Sequence, residues 1–146
     1  MSVDEYLKQG RMLDQRIRYH MRKLEELRAA ASAVSAPRPR QDPVRTSPTG
    51  EAPFVRTLER IEEMEERIDR EICLLMELKE QIEDMIRKLD SWEYQLVLIY
   101  RYLEGLTWDQ VGEKLTAGRT TLKRWHTKAL SLLEMPEDPI SIKVGP

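Results

Sequence analysis

Cysteine occurs once, at Cys73, so no internal disulfide can form and a reducing cytoplasm is the simplest setting. No apolar run approaches the ~20 residues that a membrane span requires. The stretch MSVDEYLKQG has no apolar signal core, which predicts that the chain is not exported. Glycine is scarce, with 6 residues in 146, and aromatic residues make up 6% of the chain. That composition suits long helices better than a sheet. Catalytic sets are also missing. There are no paired carboxylates, metal-spaced Cys/His groups, phosphate-cradling Gly loops or nucleophile–base pairs, so neither an enzyme, a cofactor nor a metal is expected.

Charge, by contrast, is plentiful: 34% of residues are charged, and the net charge is only -2. The near-balance hides a gradient. Residues 1–31 hold seven basic and five acidic side chains, whereas residues 54–89 hold seven and eleven. A nucleic-acid partner is therefore compatible with the acidic total, provided that its binding face is local.

Taken in order, residues 1–31 predict one helix, because Tyr6, Gly10, Leu13, Ile17, His20, Leu24, Leu27 and Ala31 alternate at four- and three-residue steps. That is a heptad seam. His20 reads as a partly exposed seam residue, since the pattern sets no carboxylate, His or Cys beside it. Residues 32–53 carry Pro37, Pro39, Pro43, Pro48 and Pro53 and read as a flexible, Pro-rich linker. Use of its Arg38, Arg40 and Arg45 as a DNA arm is the lesser reading. Residues 54–89 restart the heptad with Ile61, Ile68, Leu75, Ile82 and Leu89, joined by Met64, Leu78 and Met85, and broken at Glu71. Leu58, Ile72 and Ile86 widen the stripe on one flank, which implies more than one partner helix. The first helix, folded back antiparallel, is one such partner, and a second copy of the chain is the other. The acidic run Glu62, Glu63, Glu65, Glu66 reads as a solvated face.

Residues 90–135 predict a small three-helix head. Asp90 and Glu93 form a capping box for its first helix, Gly105 ends that helix, and all three tryptophans are expected to fill core. Thr107 with Gln110 caps the next helix, and Thr116-Ala117-Gly118 makes the turn into the last. Val111, Leu115, Ala117, Leu122 and Trp125 fall inward. Gly112 sits mid-helix, where it costs about 1 kcal/mol against Ala, and so marks a close approach by the other helix. The outer face is basic: Lys114, Arg119, Lys123, Arg124 and Lys128, with no acid between Lys114 and Lys128. This is the layout of a helix-turn-helix, whose second helix enters the major groove of double-stranded DNA. Arg119, Thr120, Thr121, Lys123 and Arg124 are expected at base edges and flanking phosphates, and Lys114, Thr127 and Lys128 at phosphates. The amide end of the helix capped by Thr107 is a further phosphate position. Pro136 and Pro139 make residues 136–146 a loose tail.

The run Tyr94–Leu133 resembles sigma-factor region 4. The resemblance rests on Arg101-Tyr102, Gly105, Thr107, Val111-Gly112, Thr116-Ala117-Gly118, and Thr121–Lys128 followed by Ala129-Leu130. It covers most of residues 54–134. The whole chain is similar to short sigma-like regulators of phages and prophages in Gram-positive bacteria. Two positions depart from the family's pattern, Gly112 where Ala is usual and Gly118 where Ser is usual. The missing Ser hydroxyl removes one phosphate contact. The resemblance implies transcriptional regulation at promoters, with contact to host RNA polymerase, but no segment resembles the sigma region that binds the -10 element. The expected fold is thus all-α, a long helical hairpin followed by a helix-turn-helix domain. The expected function is that of a cytoplasmic, sequence-specific DNA-binding regulator, homodimeric through its coiled helices. The alternatives are a phage small terminase-type DNA-packaging recognition subunit and a polymerase- or sigma-binding interaction protein.

Overall fold

The structure, a computed structural model, describes residues 1–35 and 51–143. Among them are five helices and no strand: α1 (Val3–Ser35), α2 (Glu51–Ile86), α3 (Trp92–Leu98), α4 (Trp108–Leu115) and α5 (Arg119–Leu132). The fold is all-α, with two long helices ahead of three short ones. No helix among the described residues is long and apolar enough to cross a membrane. Both long helices outrun their expected ends. α1 continues to Ser35, and α2 begins at Glu51 with Pro53 in its first turn, where an N–H has no helical acceptor to lose. Residues 36–50, with Pro37, Pro39, Pro43, Pro48 and the three candidate arm arginines, lie outside the described residues.

The chain divides into two compact units, Met1–Gln15 with Cys73–Pro146, and Arg16–Ile72. In the second unit, α1 and α2 run antiparallel. Arg16 Nε donates to Glu71 Oε2 at 2.7 Å, and Arg28 Nη2 donates to Glu65 Oε1 at 2.9 Å. The expectation for His20 is corrected here: it is buried, with Nδ1 2.6 Å from Glu71 Oε1. Its partner is the one residue that breaks the α2 seam. Two interruptions of two separate heptads meet, because antiparallel pairing brings residue 20 opposite residue 71.

In the first unit, the opening turns of α1, the closing turns of α2 and the short helices share one apolar core. Tyr6, Leu7, Leu78, Ile82, Met85, Ile86, Leu89, Leu98, Tyr102, Ala129 and Leu133 are buried in it. Gly10 faces Leu78 and Leu75, and a Cβ there would meet them at 3.7 and 3.9 Å, ordinary van der Waals distances. α2 gives way to a turn at residues 87–89, and the Gln95 side chain donates to the Leu89 carbonyl at 2.7 Å. The cap of α3 is Ser91 and not Asp90. Its hydroxyl accepts from Tyr94 N, and its extended backbone marks the residue outside the helix. Trp92 is therefore the first helical residue and stands 76% exposed, whereas Trp108 and Trp125 are half-buried and pack against the small core. α3 runs on through Ile99–Leu103 as a wider π turn, in which Glu104 N donates to Ile99 O at 2.9 Å. Gly105, at φ 71°, then ends it.

Residues 135–143 are not a loose tail. Gln9 donates to Ile140 O at 2.9 Å and accepts from Ile142 N at 2.8 Å. Gln81 donates to Asp138 O and accepts from Ile140 N, at 2.9 and 3.0 Å. Met135, Ile140 and Ile142 pack on the shared core. The prolines exclude a helix, as expected, but two glutamine amides supply the backbone partners that a helix would have supplied.

The buried carboxylate yields the first prediction. Glu71→Ala leaves the buried His20 and the guanidinium of Arg16 without their acceptor and should cost about 2 kcal/mol in urea unfolding. The double substitution His20→Leu/Glu71→Leu should recover most of that loss. A double variant as unstable as Glu71→Ala would count against the pairing.

Candidate nucleic-acid interface

α4 forms because its first turn is capped from both sides. Gln110 N donates to Thr107 Oγ1 at 3.2 Å, and Thr107 N donates to Gln110 Oε1 at 2.9 Å. It ends at Thr116, which takes a left-handed conformation at φ 52°, an uncommon one for a β-branched residue. Ala117 N then donates to Gly112 O at 3.0 Å, and Gly118 is an extended N-cap for α5 with no side chain to donate or accept. Val97, Val111 and Leu122 are buried together, with Trp108, Leu115, Ala117 and Trp125 packed around them. The inward set read from the sequence is the set that packs. A Cβ at Gly112 would stand 2.9 Å from the Ala117 carbonyl oxygen and 3.3 Å from Leu122 Cδ1. The close approach therefore comes first from the turn itself and then from α5.

Of the nine candidate contact residues, eight are exposed: Thr107, Lys114, Arg119, Thr120, Lys123, Arg124, Thr127 and Lys128. Thr121 is half-buried, since it adjoins Leu122 at the edge of the packed stripe. Thr120, Lys123, Arg124, Thr127, Lys128 and Ser131 line one shallow depression along the outer side of α5. Thr107, Asp109, Arg119, Lys123 and His126 share a second, between the starts of α4 and α5. Lys114 lines neither of these. Arg119 Nη2 lies 3.4 Å from Asp109 Oδ1, with both side chains largely in solvent. A run free of acids in sequence thus has one carboxylate beside it in space, at the base of the second helix.

Behind this face lies a polar aromatic cluster. Arg101 stacks over the Trp108 ring, 4.8 Å from its centroid, and donates to Leu106 O at 3.0 Å. The Tyr102 hydroxyl lies 2.7 Å from His126 Nε2, and Trp108 meets the His126 ring edge-on at 4.7 Å. Burial pushes the Tyr102 hydroxyl up to about 12 and holds His126 below its ordinary value. His126 was missed in the sequence. Its spacing, four residues after Leu122 and three before Ala129, would have put it on the inner flank of α5. Among the described residues no group of His, Cys, Asp or Glu is arranged to hold a metal ion.

Two predictions follow from this packing. Gly112→Val should destabilise the protein by about 2 kcal/mol, because the Ala117 carbonyl cannot yield as a flexible side chain does. A melting temperature equal to wild type would refute that close approach. For His126, the folded-state pKa lies below the unfolded one. The unfolded chain therefore takes up the proton first, and stability is full above about pH 6.5 and is lost as pH falls. Melting temperature should drop between pH 7.5 and 5.5, and His126→Gln should flatten part of that drop.

The family of proteins of unknown function DUF1492 matches residues 55–134, more than half of the chain, and the chain belongs to it. The match takes in nearly all of α2 and the three short helices, and leaves out α1 and residues 135–146. No curated protein and no solved structure matches the chain.

Proposed function

We propose that this member of the DUF1492 family is a sequence-specific regulator of transcription that binds double-stranded DNA, of the sigma region 4 type and encoded by a phage or prophage. The observation that carries the reading is the outer side of α5. Five cationic or hydroxyl side chains (Thr120, Lys123, Arg124, Thr127 and Lys128) are exposed along one depression, while Leu122, Ala129 and Leu133 of the same segment are buried. In this reading α5 enters the major groove. Arg124, Lys123 and Thr120 meet base edges, where an Arg fork takes guanine O6 and N7 together. Lys114, Thr127, Lys128 and the start of α4 at Thr107 hold the flanking phosphates. Arg119, held to Asp109, sits at the groove edge. One small head binds weakly, so two heads carried by a homodimer of the α1–α2 pair raise the effective concentration at a paired site. Contact with host RNA polymerase completes the regulatory role.

The test is fluorescence anisotropy on random-sequence and phage-genome duplexes at several salt concentrations. With about four phosphate contacts, affinity should fall by roughly two orders of magnitude between 50 and 200 mM salt. Arg119→Ala/Arg124→Ala should abolish site preference, whereas Lys114→Ala/Lys128→Ala should lower the salt slope by about 2 and weaken binding to all sequences alike. No binding at low salt sinks the proposal and favours a polymerase- or sigma-binding protein acting through the exposed Glu62, Glu63 and Glu66. Binding by a ring of eight or more subunits favours a terminase-type packaging subunit.

A further inference from the structure

The depression between the starts of α4 and α5 holds one charge of the wrong sign for a nucleic acid. Thr107, Asp109, Arg119, Lys123 and His126 line it beside Trp108 and Leu122, and Asp109 is the one carboxylate among them. A carboxylate here opposes phosphate, so a face shaped by charge attraction alone gains from its absence. The start of α4 does not depend on it, because Thr107 and Gln110 already make both bonds of the capping box. An acid in the first turn does steady the helix end, but that effect is indifferent to DNA sequence. What sets Asp109 apart is its reach to the other helix. Its Oδ1 lies 3.4 Å from Nη2 of Arg119, ten residues on, because the turn Thr116-Ala117-Gly118 lays the two helix starts side by side. In water the pair is weak, since the side chains are 88% and 77% exposed. A duplex laid over the depression removes that water. It strengthens the attraction within the pair and raises the cost of leaving either group without a partner.

We propose that Asp109 is a specificity-determining residue of the DNA-binding face, a positioning group that holds Arg119 to read one guanine at the outer edge of the site. The inference rests on the DNA-binding reading above and deepens it. Asp109 engages Nη2 alone, so the remaining N–H groups of the Arg119 fork are free to take guanine O6 and N7. A side chain already held at one corner loses less freedom in doing so. Over a guanine, the guanidinium and the carboxylate are both satisfied. Over another base the fork lacks its two acceptors, and the carboxylate is brought up to the duplex with no base contact in return. The wrong sequence is thus disfavoured as well as the right one favoured. Without Asp109, Arg119 turns to the nearest phosphate, which every sequence offers equally. Glu113, exposed one turn further along α4, carries the same charge outside the pair and separates this role from a general effect of charge.

The full chain is tested by selection from a random-sequence duplex library, followed by anisotropy on the wild-type site and on random duplex. Wild type should enrich a guanine at the outer edge of its site. Asp109→Asn, with an unchanged helical circular dichroism signal, should lose about tenfold of the preference for that guanine. It should keep the preferences at the other positions and bind random duplex roughly two- to fivefold tighter. Arg119→Ala should lose the same guanine, and Arg119→Ala/Asp109→Asn should lose nothing further at that base pair. Glu113→Gln should select the wild-type site and tighten binding to both duplexes alike. An Asp109→Asn protein that selects the wild-type site with every preference intact overturns the inference and leaves the regulator reading standing. So does additive loss at the edge base pair in the double variant. A wild type that binds no DNA removes the regulator reading and this inference with it.

Discussion

The position of α5 depends on a single apolar stripe. Leu122 is committed to the small core with Val97 and Val111, while Ala129 and Leu133 are committed to the core shared with α1 and α2. A 14-residue helix is marginal in water without such packing. Once those three side chains are buried, rotation about the helix axis is no longer free. Thr120, Lys123, Arg124, Thr127 and Lys128 must then face outward as a group. The cationic face is therefore a consequence of apolar burial, and its precision is that of the core behind it.

Polar side chains settle what apolar packing leaves open. At the end of α2, Gln95 takes the Leu89 carbonyl, and at residues 138–142 Gln9 and Gln81 take four backbone groups of an extended segment. Within the second unit, Glu71 fixes which residues of α1 lie opposite it. Apolar heptads tolerate sliding by a whole repeat, whereas a buried carboxylate between His20 and Arg16 does not, because a slip strands a charge among aliphatic side chains. Behind the candidate interface, Arg101, Trp108, Tyr102 and His126 link the π turn after α3 to the start of α4 and the middle of α5 through stacking and the Tyr102–His126 hydrogen bond.

The readings that survived were those in which periodicity sufficed. The α1 seam, the α2 seam, the inward set of the helix-turn-helix and the role of Gly112 all follow from residue spacing along single helices. The readings that were corrected each needed a second element. Spacing along α1 leaves His20 partly exposed, because its carboxylate partner lies 51 residues away. Prolines say only which structure is excluded, so they do not reveal the glutamine contacts of residues 138–142. A tryptophan one residue earlier or later in a helix faces a different way, so the cap at Ser91 decides that Trp92 is exposed.

The sequence by itself determined the helical class, the heptad registers, the capping box of α4 and the basic composition of α5. These depend on neighbours within a few residues, where the 3.6-residue repeat and local hydrogen bonding decide the outcome. Tertiary structure alone decided that Glu71 meets His20 and that Asp109 stands beside Arg119. It also decided that Tyr102 reaches His126 and that two glutamines hold an extended segment. Those pairings join residues far apart in the chain, and burial of apolar surface on other helices, which carries no local signature, brings them together.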